Sequence, residues 1–120
     1  MKKAILYMIR PLEPNEQFTR QEWTMNEHSK KFNIQIIKKF SDIGYPASNL
    51  KRPALQEMIK FMVNSKEKMD LIYFYGIEQC EKDWMRIKYL ESTIRSYVHE
   101  IVFIKDKLVE EHVINKREMS

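Results

Sequence analysis

The stretch "DLIYFYG" (70–76) decides the fold, because it is a run of β-forming residues of strand length that stops at a glycine. A second apolar run, Ala4–Ile9, is nearly continuous, as in a strand that is buried on both faces of a sheet. The segments "IQIIKKFS" (34–41) and "EIVFIKD" (100–106) predict two further strands. Long intervals separate these strands, as parallel pairing requires.

Helical periodicity fills the intervals. The first predicted helix, 19–33, opens with Thr19 and Glu22 at the spacing of a capping box. Its apolar stripe consists of Trp23, Met25 and Phe32. The second predicted helix, 52–65, has Pro53 in its first turn, where proline is well tolerated. Its apolar face consists of Leu55, Met58, Ile59 and Met62.

The third predicted helix, 81–99, is the longest, and the final stretch, 107–120, also has helical spacing. The resulting order, β-α-β-α-β-α-β-α, predicts a three-layer α/β/α fold with a mainly parallel four-stranded sheet. In such folds ligands bind beyond the carboxyl ends of the strands. We therefore expect a functional site among the loops 10–18, 42–51 and 76–81.

The composition limits the class of function. The 120-residue chain has a formal charge of +4, a mild excess that permits an anionic partner without requiring one. Its one cysteine, Cys80, excludes an intramolecular disulfide and fits a reducing cytoplasm. The apolar run Ala4–Ile9 ends at Arg10 and is too short for a signal peptide or a membrane span.

Nucleotide and metal sites are not indicated. The chain has two glycines, Gly44 and Gly76, whereas a Rossmann fingerprint or a P-loop needs several close together. The three histidines, His28, His99 and His112, lack the spacing of metal ligands. We therefore expect no nucleotide, no metal and no other cofactor.

The segment "FSDIGYPASNLKRPALQEMIKFM" (40–62) resembles a signature of the serine recombinases, the resolvase and invertase family. In that family an aromatic residue and an Asp end the second strand, and an Arg-Pro-x-Leu motif opens the next helix. The positions that fit are Phe40, Asp42, Gly44, Leu50, Arg52, Pro53, Leu55 and Gln56. The resemblance covers residues 3–105 and implies the resolvase-like fold of the family's N-terminal catalytic domain.

The resemblance places a catalytic site at the end of the first strand. The family has Tyr-x-Arg-x-Ser there, and its serine attacks a DNA phosphodiester. Tyr7 fits this motif, but Ile9 stands at the position of the arginine and Pro11 at that of the nucleophile. A proline has no hydroxyl group and cannot form a phosphoseryl-DNA intermediate. Arg10 is offset by one residue, which in a strand turns it to the opposite face.

A second family motif, Asp-Arg-x-x-Arg after the third strand, holds the scissile phosphate with its arginines. The aligned run here is "EQCEK" (78–82), with Glu78, Gln79 and Lys82 at the three motif positions. A lysine lacks the bidentate geometry of a guanidinium group. The remaining candidates for phosphate or DNA contact are Arg10, Asp42, Lys51, Arg52 and Lys82.

Other nucleophiles find little support. Thr19, Ser41 and Ser48 lie in or near the crevice loops, but no activating base accompanies them. Cys80 has acidic neighbours, Glu78 and Glu81, whereas a reactive thiol needs a cationic environment. The resemblance therefore implies a degenerate catalytic site.

The C-terminal end also departs from the family, which continues into a long dimer helix and a DNA-reading domain. We expect a catalytic-type domain over 1–106, a short tail or truncated helix over 107–120, and no DNA-reading domain. The expected protein is cytoplasmic, derived from a mobile element and associated with DNA recombination. It is expected to be catalytically inactive and to act by binding DNA, a second copy of itself or an intact recombinase. The alternative is an active recombinase that uses a displaced nucleophile.

Overall fold

The structure, a computed structural model, describes residues 1–13, 15–43, 53–66, 68–76, 97–105 and 108–113. Within them the chain forms five strands and two helices. In chain order these are β1 (Lys2–Arg10), α1 (Glu16–Lys31), β2 (Ile34–Ile43), α2 (Pro53–Asn64), β3 (Met69–Gly76), β4 (Val98–Lys105) and β5 (Leu108–Val113).

The strands form a single sheet in the order β2-β1-β3-β4-β5. The first four strands in this order are parallel, which confirms the predicted parallel sheet and the α/β fold class, and β5 is antiparallel to β4. Because β2 and β3 lie on opposite sides of β1, the chain reverses its direction of travel across the sheet at β1. Such a reversal opens a crevice at the carboxyl ends of the strands.

The two helices cover opposite faces of the sheet, and each face has its own apolar cluster. On the α2 face the cluster includes Ile5, Tyr7, Ile9, Leu55, Met58, Met62, Ile72, Phe74 and Ile101. On the α1 face it includes Ala4, Leu6, Met25, Leu71, Tyr73, Tyr75, Val102 and Ile104. Burial on both faces explains why β1 and β3 have continuous apolar sequences instead of alternating ones. The predicted apolar face of α2 is confirmed.

Helix α1 begins earlier than its sequence predicted. Its N-cap is Asn15, whose side chain accepts a hydrogen bond from the Phe18 N–H at 3.1 Å. Thr19 lies one turn inside the helix, and its hydroxyl donates to the Asn15 carbonyl oxygen at 3.2 Å. The predicted capping box at Thr19 is therefore wrong, because Asn15 provides an equally suitable cap four residues earlier.

The apolar stripe predicted for α1 is also wrong in part. Trp23 and Phe32 are 64% and 52% exposed, and only Met25 of the predicted stripe is buried. The buried positions of α1 are otherwise polar: Gln21, Thr24 and Ser29. Gln21 accepts a hydrogen bond from the Gly76 N–H of β3, whereas the hydroxyls of Thr24 and Ser29 donate to the carbonyl oxygens of Arg20 and Asn26 within α1. Apolar periodicity cannot reveal a buried face whose polar groups are satisfied in this way.

The C-terminal stretch also differs from its prediction. Leu108–Val113 form strand β5, paired with β4, and not a helix. β5 also contacts α1, because His28 Nε2 lies 2.8 Å from a Glu111 carboxylate oxygen. The other ring nitrogen of His28 lies 2.7 Å from the hydroxyl of the buried Tyr73. Contacts with α1 and β4, far away in the sequence, thus outweigh the local helical spacing.

The longest predicted helix, 81–99, lies mostly outside the described residues. Its last two residues, Val98 and His99, belong to β4.

Gly76 ends β3 at a point where the backbone of β1 comes unusually close. Its φ is +151°, and an added Cβ atom would lie 2.5 Å from the carbonyl oxygen of Ile9 and 2.8 Å from its nitrogen. Both of these atoms are backbone, so they can move only if the strand moves. A glycine is therefore required at the carboxyl end of β3.

We predict that Gly76→Ala destabilises the fold by about 3 kcal/mol or more, because it combines a backbone clash with an unfavourable φ. Urea unfolding followed by circular dichroism measures this change. The control is Gln35→Ala, at an exposed position of the edge strand β2. Equal stability of Gly76→Ala and the control would contradict the close approach of β1 and β3.

Two carboxyl groups meet where β4 and β5 pair beneath α1. Burial and the nearby Glu111 carboxylate raise the pKa of Glu100 above its ordinary value of 4.5, while Lys2 and His28 act in the opposite direction. The folded state therefore holds the proton of Glu100 more tightly than the unfolded state does. The contribution of Glu100 to the stability of the folded state is complete below pH 4.5 and is lost as the pH rises through its folded-state pKa.

Accordingly, we predict that Glu100→Gln is more stable than the wild type at pH 7 and that this advantage shrinks toward pH 4. Urea midpoints measured between pH 4 and 8 test this. Glu57→Gln removes an exposed carboxylate on α2 and serves as the matched control, with little change expected. A stability advantage of Glu100→Gln that does not depend on pH would show that the pKa of Glu100 is not raised in the folded state.

Candidate functional site

The candidate site lies at the carboxyl ends of β1, β2 and β3. Ile9 of β1 is aligned with Asp42 of β2 on one side and with Gly76 of β3 on the other. Tyr7, two residues before Ile9, lies on the same face and packs edge-on against Phe74 at 5.7 Å between ring centroids. The structure thus brings the predicted positions Tyr7, Ile9 and Asp42 together on the α2 face.

Asp42 is the most highly connected polar residue of this site. Its side chain is buried, 4% exposed, and its Oδ2 accepts a hydrogen bond from the Tyr7 hydroxyl at 2.6 Å. The Ala54 N–H donates to Oδ1 at 2.9 Å, and the Leu55 N–H donates to Oδ2 at 3.3 Å. Asp42 therefore caps helix α2 from the neighbouring strand and satisfies N–H groups that the helix leaves without partners.

The start of α2 faces the Asp42 carboxylate. The N-terminal end of a helix carries a partial positive charge, which stabilises a negative group placed on its axis. The Tyr7 hydroxyl adds a third hydrogen bond to the same carboxylate. With this many donors around it, Asp42 is suited to holding β1, β2 and α2 together more than to abstracting a proton.

The two residues that follow Tyr7 in the motif face different environments. Ile9 is 1% exposed and belongs to the apolar cluster under α2, so a charged side chain at this position would need a different local structure. Pro11 follows the end of β1 and is partly exposed.

Arg10 belongs to the α1 face, the face opposite Ile9. It alternates with Met8, which packs in the α1-side cluster, and its strand partner is Ile43. Burial and Glu22 raise the pKa of the Tyr75 hydroxyl, and Arg10 acts in the opposite direction. Arg10 is thus within electrostatic reach of Tyr75 and Glu22, and it does not join the Tyr7–Asp42 pair.

Gln21 belongs to the site, although no feature of the sequence selects it. Its side-chain oxygen accepts the Gly76 N–H at 2.9 Å, in a buried position. This bond ties α1 to the end of β3, where the chain enters the crevice. A glutamine within a helix carries no local signal for such a contact, because its partner is 55 residues away.

Comparison with known proteins gives matches in structure alone. No family model and no curated protein sequence matches the chain. The N-terminal catalytic domain of TP901-1 integrase superposes with a TM-score of 0.56 at 18% sequence identity, over 87% of this chain and 76% of that one. The chain has a serine-recombinase-like fold.

A second solved structure is the C-terminal catalytic domain of ISC1926 TnpA, an IS607-like serine recombinase. It has a TM-score of 0.48 and 16% identity, over 79% of this chain and 82% of that one.

Several predicted positions of the candidate site lie outside the described residues: Ser48, Lys51, Arg52, Glu78, Gln79, Cys80 and Lys82. The hydroxyl candidates that are described do not join Tyr7 and Asp42. Ser41 is aligned with Met8 and is exposed on the α1 face, and the Thr19 hydroxyl bonds to the backbone of its own helix.

Two further findings concern metals and membranes. Across the described part of the chain, no three side chains of the His, Cys, Asp or Glu type come together in a way that could hold a metal ion. Neither described helix is long and apolar enough to span a membrane.

We predict that Asp42→Ala lowers the free energy of unfolding by about 2–4 kcal/mol, since it removes a helix cap and leaves buried donors without acceptors. Tyr7→Phe removes one hydrogen bond and should cost about 1 kcal/mol. Asp42→Asn retains an acceptor oxygen and should fall between these values.

Urea unfolding of the single variants and of the Tyr7→Phe/Asp42→Ala double variant measures the coupling between the two side chains. The expected costs are non-additive, by about 0.5 kcal/mol or more. Additive costs, or an Asp42→Ala variant as stable as the wild type, would show that this contact does not support the fold.

Proposed function

We propose that this chain is a recombination-associated protein that uses a serine-recombinase-like scaffold for binding and does not break DNA strands. Its binding partners are DNA and the catalytic domains of recombinases, including a second copy of the chain. The fold supplies the link to recombination, and the residues at the carboxyl end of β1 supply the argument against catalysis.

Pro11 is the observation that carries this proposal. It occupies the motif position of the nucleophile, and a proline offers no hydroxyl for attack on a phosphodiester. The buried Ile9 supports the same conclusion, because a guanidinium that stabilises a phosphate must reach the reacting group. Asp42 is engaged by Tyr7 and by the start of α2, which gives it a role in the fold without any chemistry.

Covalent trapping tests the absence of catalysis. The purified chain is incubated with supercoiled and linear duplex DNA of mixed sequence, denatured with detergent and examined for DNA-linked protein. We expect no adduct and no nicking, while an intact serine recombinase on its own site provides the positive control. A detergent-stable adduct of this chain with DNA would contradict the proposal.

One observation favours the alternative of a displaced nucleophile. Ser41 is exposed on β2 and shares the α1 face with Lys39 of β2 and Arg10 of β1, so a hydroxyl lies on the same face as two cations. If an adduct forms, Ser41→Ala should abolish it, whereas Thr19→Ala should leave it intact. An adduct that survives both substitutions would rule out both residues.

A further inference from the structure

The edge of the sheet opposite the crevice concentrates positive charge. At this amino-terminal edge β1 begins, α1 ends before β2, and α2 ends before β3. Each of these three points carries a pair of lysines, all exposed: Lys2, Lys3, Lys30, Lys31, Lys66 and Lys68. We call this set the lysine pole.

The lysine pole is not simply a consequence of helix capping. Lys30 and Lys31 complement the negative end of the α1 dipole, as basic residues in a last turn often do. Lys66 and Lys68, however, follow the end of α2, whose last turn has no basic residue. Lys2 and Lys3 belong to a strand, where no helix dipole acts. Helix capping therefore does not account for two of the three pairs.

Described acidic side chains offset this charge only in part. Asp70 lies at the pole and accepts the backbone N–H of Lys3 at 2.7 Å, and Glu100 lies within electrostatic reach of Lys2. Glu27 lines the same end of α1 as Lys30 and Lys31, and Glu111 lies beside Glu100. These four carboxylates offset part of the charge of the six lysines and leave the described part of the pole with an excess of positive charge.

The shape of the pole suits an extended anion. The ends of α1 and α2 lie on opposite faces of the sheet, so their lysines are separated by roughly 20 Å, the thickness of the layers between them. Grooves of duplex DNA are about 6–12 Å wide, so a surface of this breadth can reach phosphates of both strands.

An exposed aromatic ring lies within the pole. Phe32 is 52% exposed, and the Lys31 ammonium group lies 5.5 Å from its ring centroid. Together with Lys30, Val109 and His28, these residues line an open depression between the end of α1 and β5. Thr24 and Glu27 complete the lining, so the depression has one carboxylate beside its two lysines.

We infer that the lysine pole binds the phosphate backbone of duplex DNA. This surface lies at the end of the sheet opposite the degenerate crevice, and it needs none of the residues of the Tyr7–Asp42 site. The inference rests on the proposed DNA-binding role and names the surface that performs it. Binding of this kind follows phosphate charge and does not depend on base sequence.

Fluorescence anisotropy with a mixed-sequence duplex, measured over a salt series, tests the inference on the full chain. Two double variants each remove two charges from the pole: Lys30→Gln/Lys31→Gln and Lys66→Gln/Lys68→Gln. The matched control, Lys39→Gln/Lys60→Gln, removes two exposed lysines from β2 and α2. Circular dichroism confirms that all three variants are folded.

Each pole variant should bind about tenfold more weakly at low salt, and the negative slope of log affinity against log salt should become less steep by about 2. The control should change the affinity less than twofold. Equal losses in all variants, or no binding by the wild type at low salt, would overturn the inference. In a competition experiment at equal total charge, polyglutamate should displace the labelled duplex less effectively than unlabelled DNA does. Equal displacement by the two competitors would also overturn the inference.

These outcomes are distinguishable from failure of the proposed function. A covalent adduct with DNA contradicts the non-catalytic role whatever the pole variants do. Pole variants that bind as tightly as the wild type, with no adduct formed, would leave the non-catalytic role in place and refute only the DNA-binding role of this surface. Arg10→Gln, at the crevice end, completes the set, because a tenfold loss there with intact pole binding would assign the DNA contact to the crevice.

Discussion

The buried carboxylate of Asp42 holds the central part of this structure together. It accepts hydrogen bonds from the Tyr7 hydroxyl on β1 and from the first N–H groups of α2, and it lies on β2 itself. The placement of α2 depends on these contacts, because they fix where the helix begins relative to β1 and β2. A helix whose N–H groups were left unsatisfied in this buried position would be strongly destabilised.

The two ends of the sheet differ in how tightly their described residues are packed. At the carboxyl end, the backbones of Ile9 and Gly76 lie too close for an added Cβ atom, and among the described residues Tyr7 bonds to Asp42 and Gln21 bonds to Gly76. At the amino end, the lysines are exposed. A serine-recombinase-like scaffold can thus keep its packing at the crevice and carry a binding surface elsewhere.

The elements that local sequence patterns determine were predicted correctly. Continuous apolar runs identified the four parallel strands, and the spacing of Leu55, Met58 and Met62 identified the buried face of α2. Such patterns could not identify the polar buried face of α1 or strand β5, because the partners of Gln21 and Glu111 come from distant parts of the chain. The family resemblance selected Tyr7 and Asp42 separately, in two different motifs, while the hydrogen bond between them and the capping of α2 by Asp42 required the three-dimensional arrangement.

Backbone amide NMR of the labelled chain, titrated with a mixed-sequence duplex, tests this division of roles most directly. The account predicts the largest shift changes at the amino-terminal edge, at Lys3, Lys31, Phe32 and Lys68. Arg10, Asp42 and Gly76 should change little. Changes confined to those three residues, with the lysine pole unaffected, would contradict it.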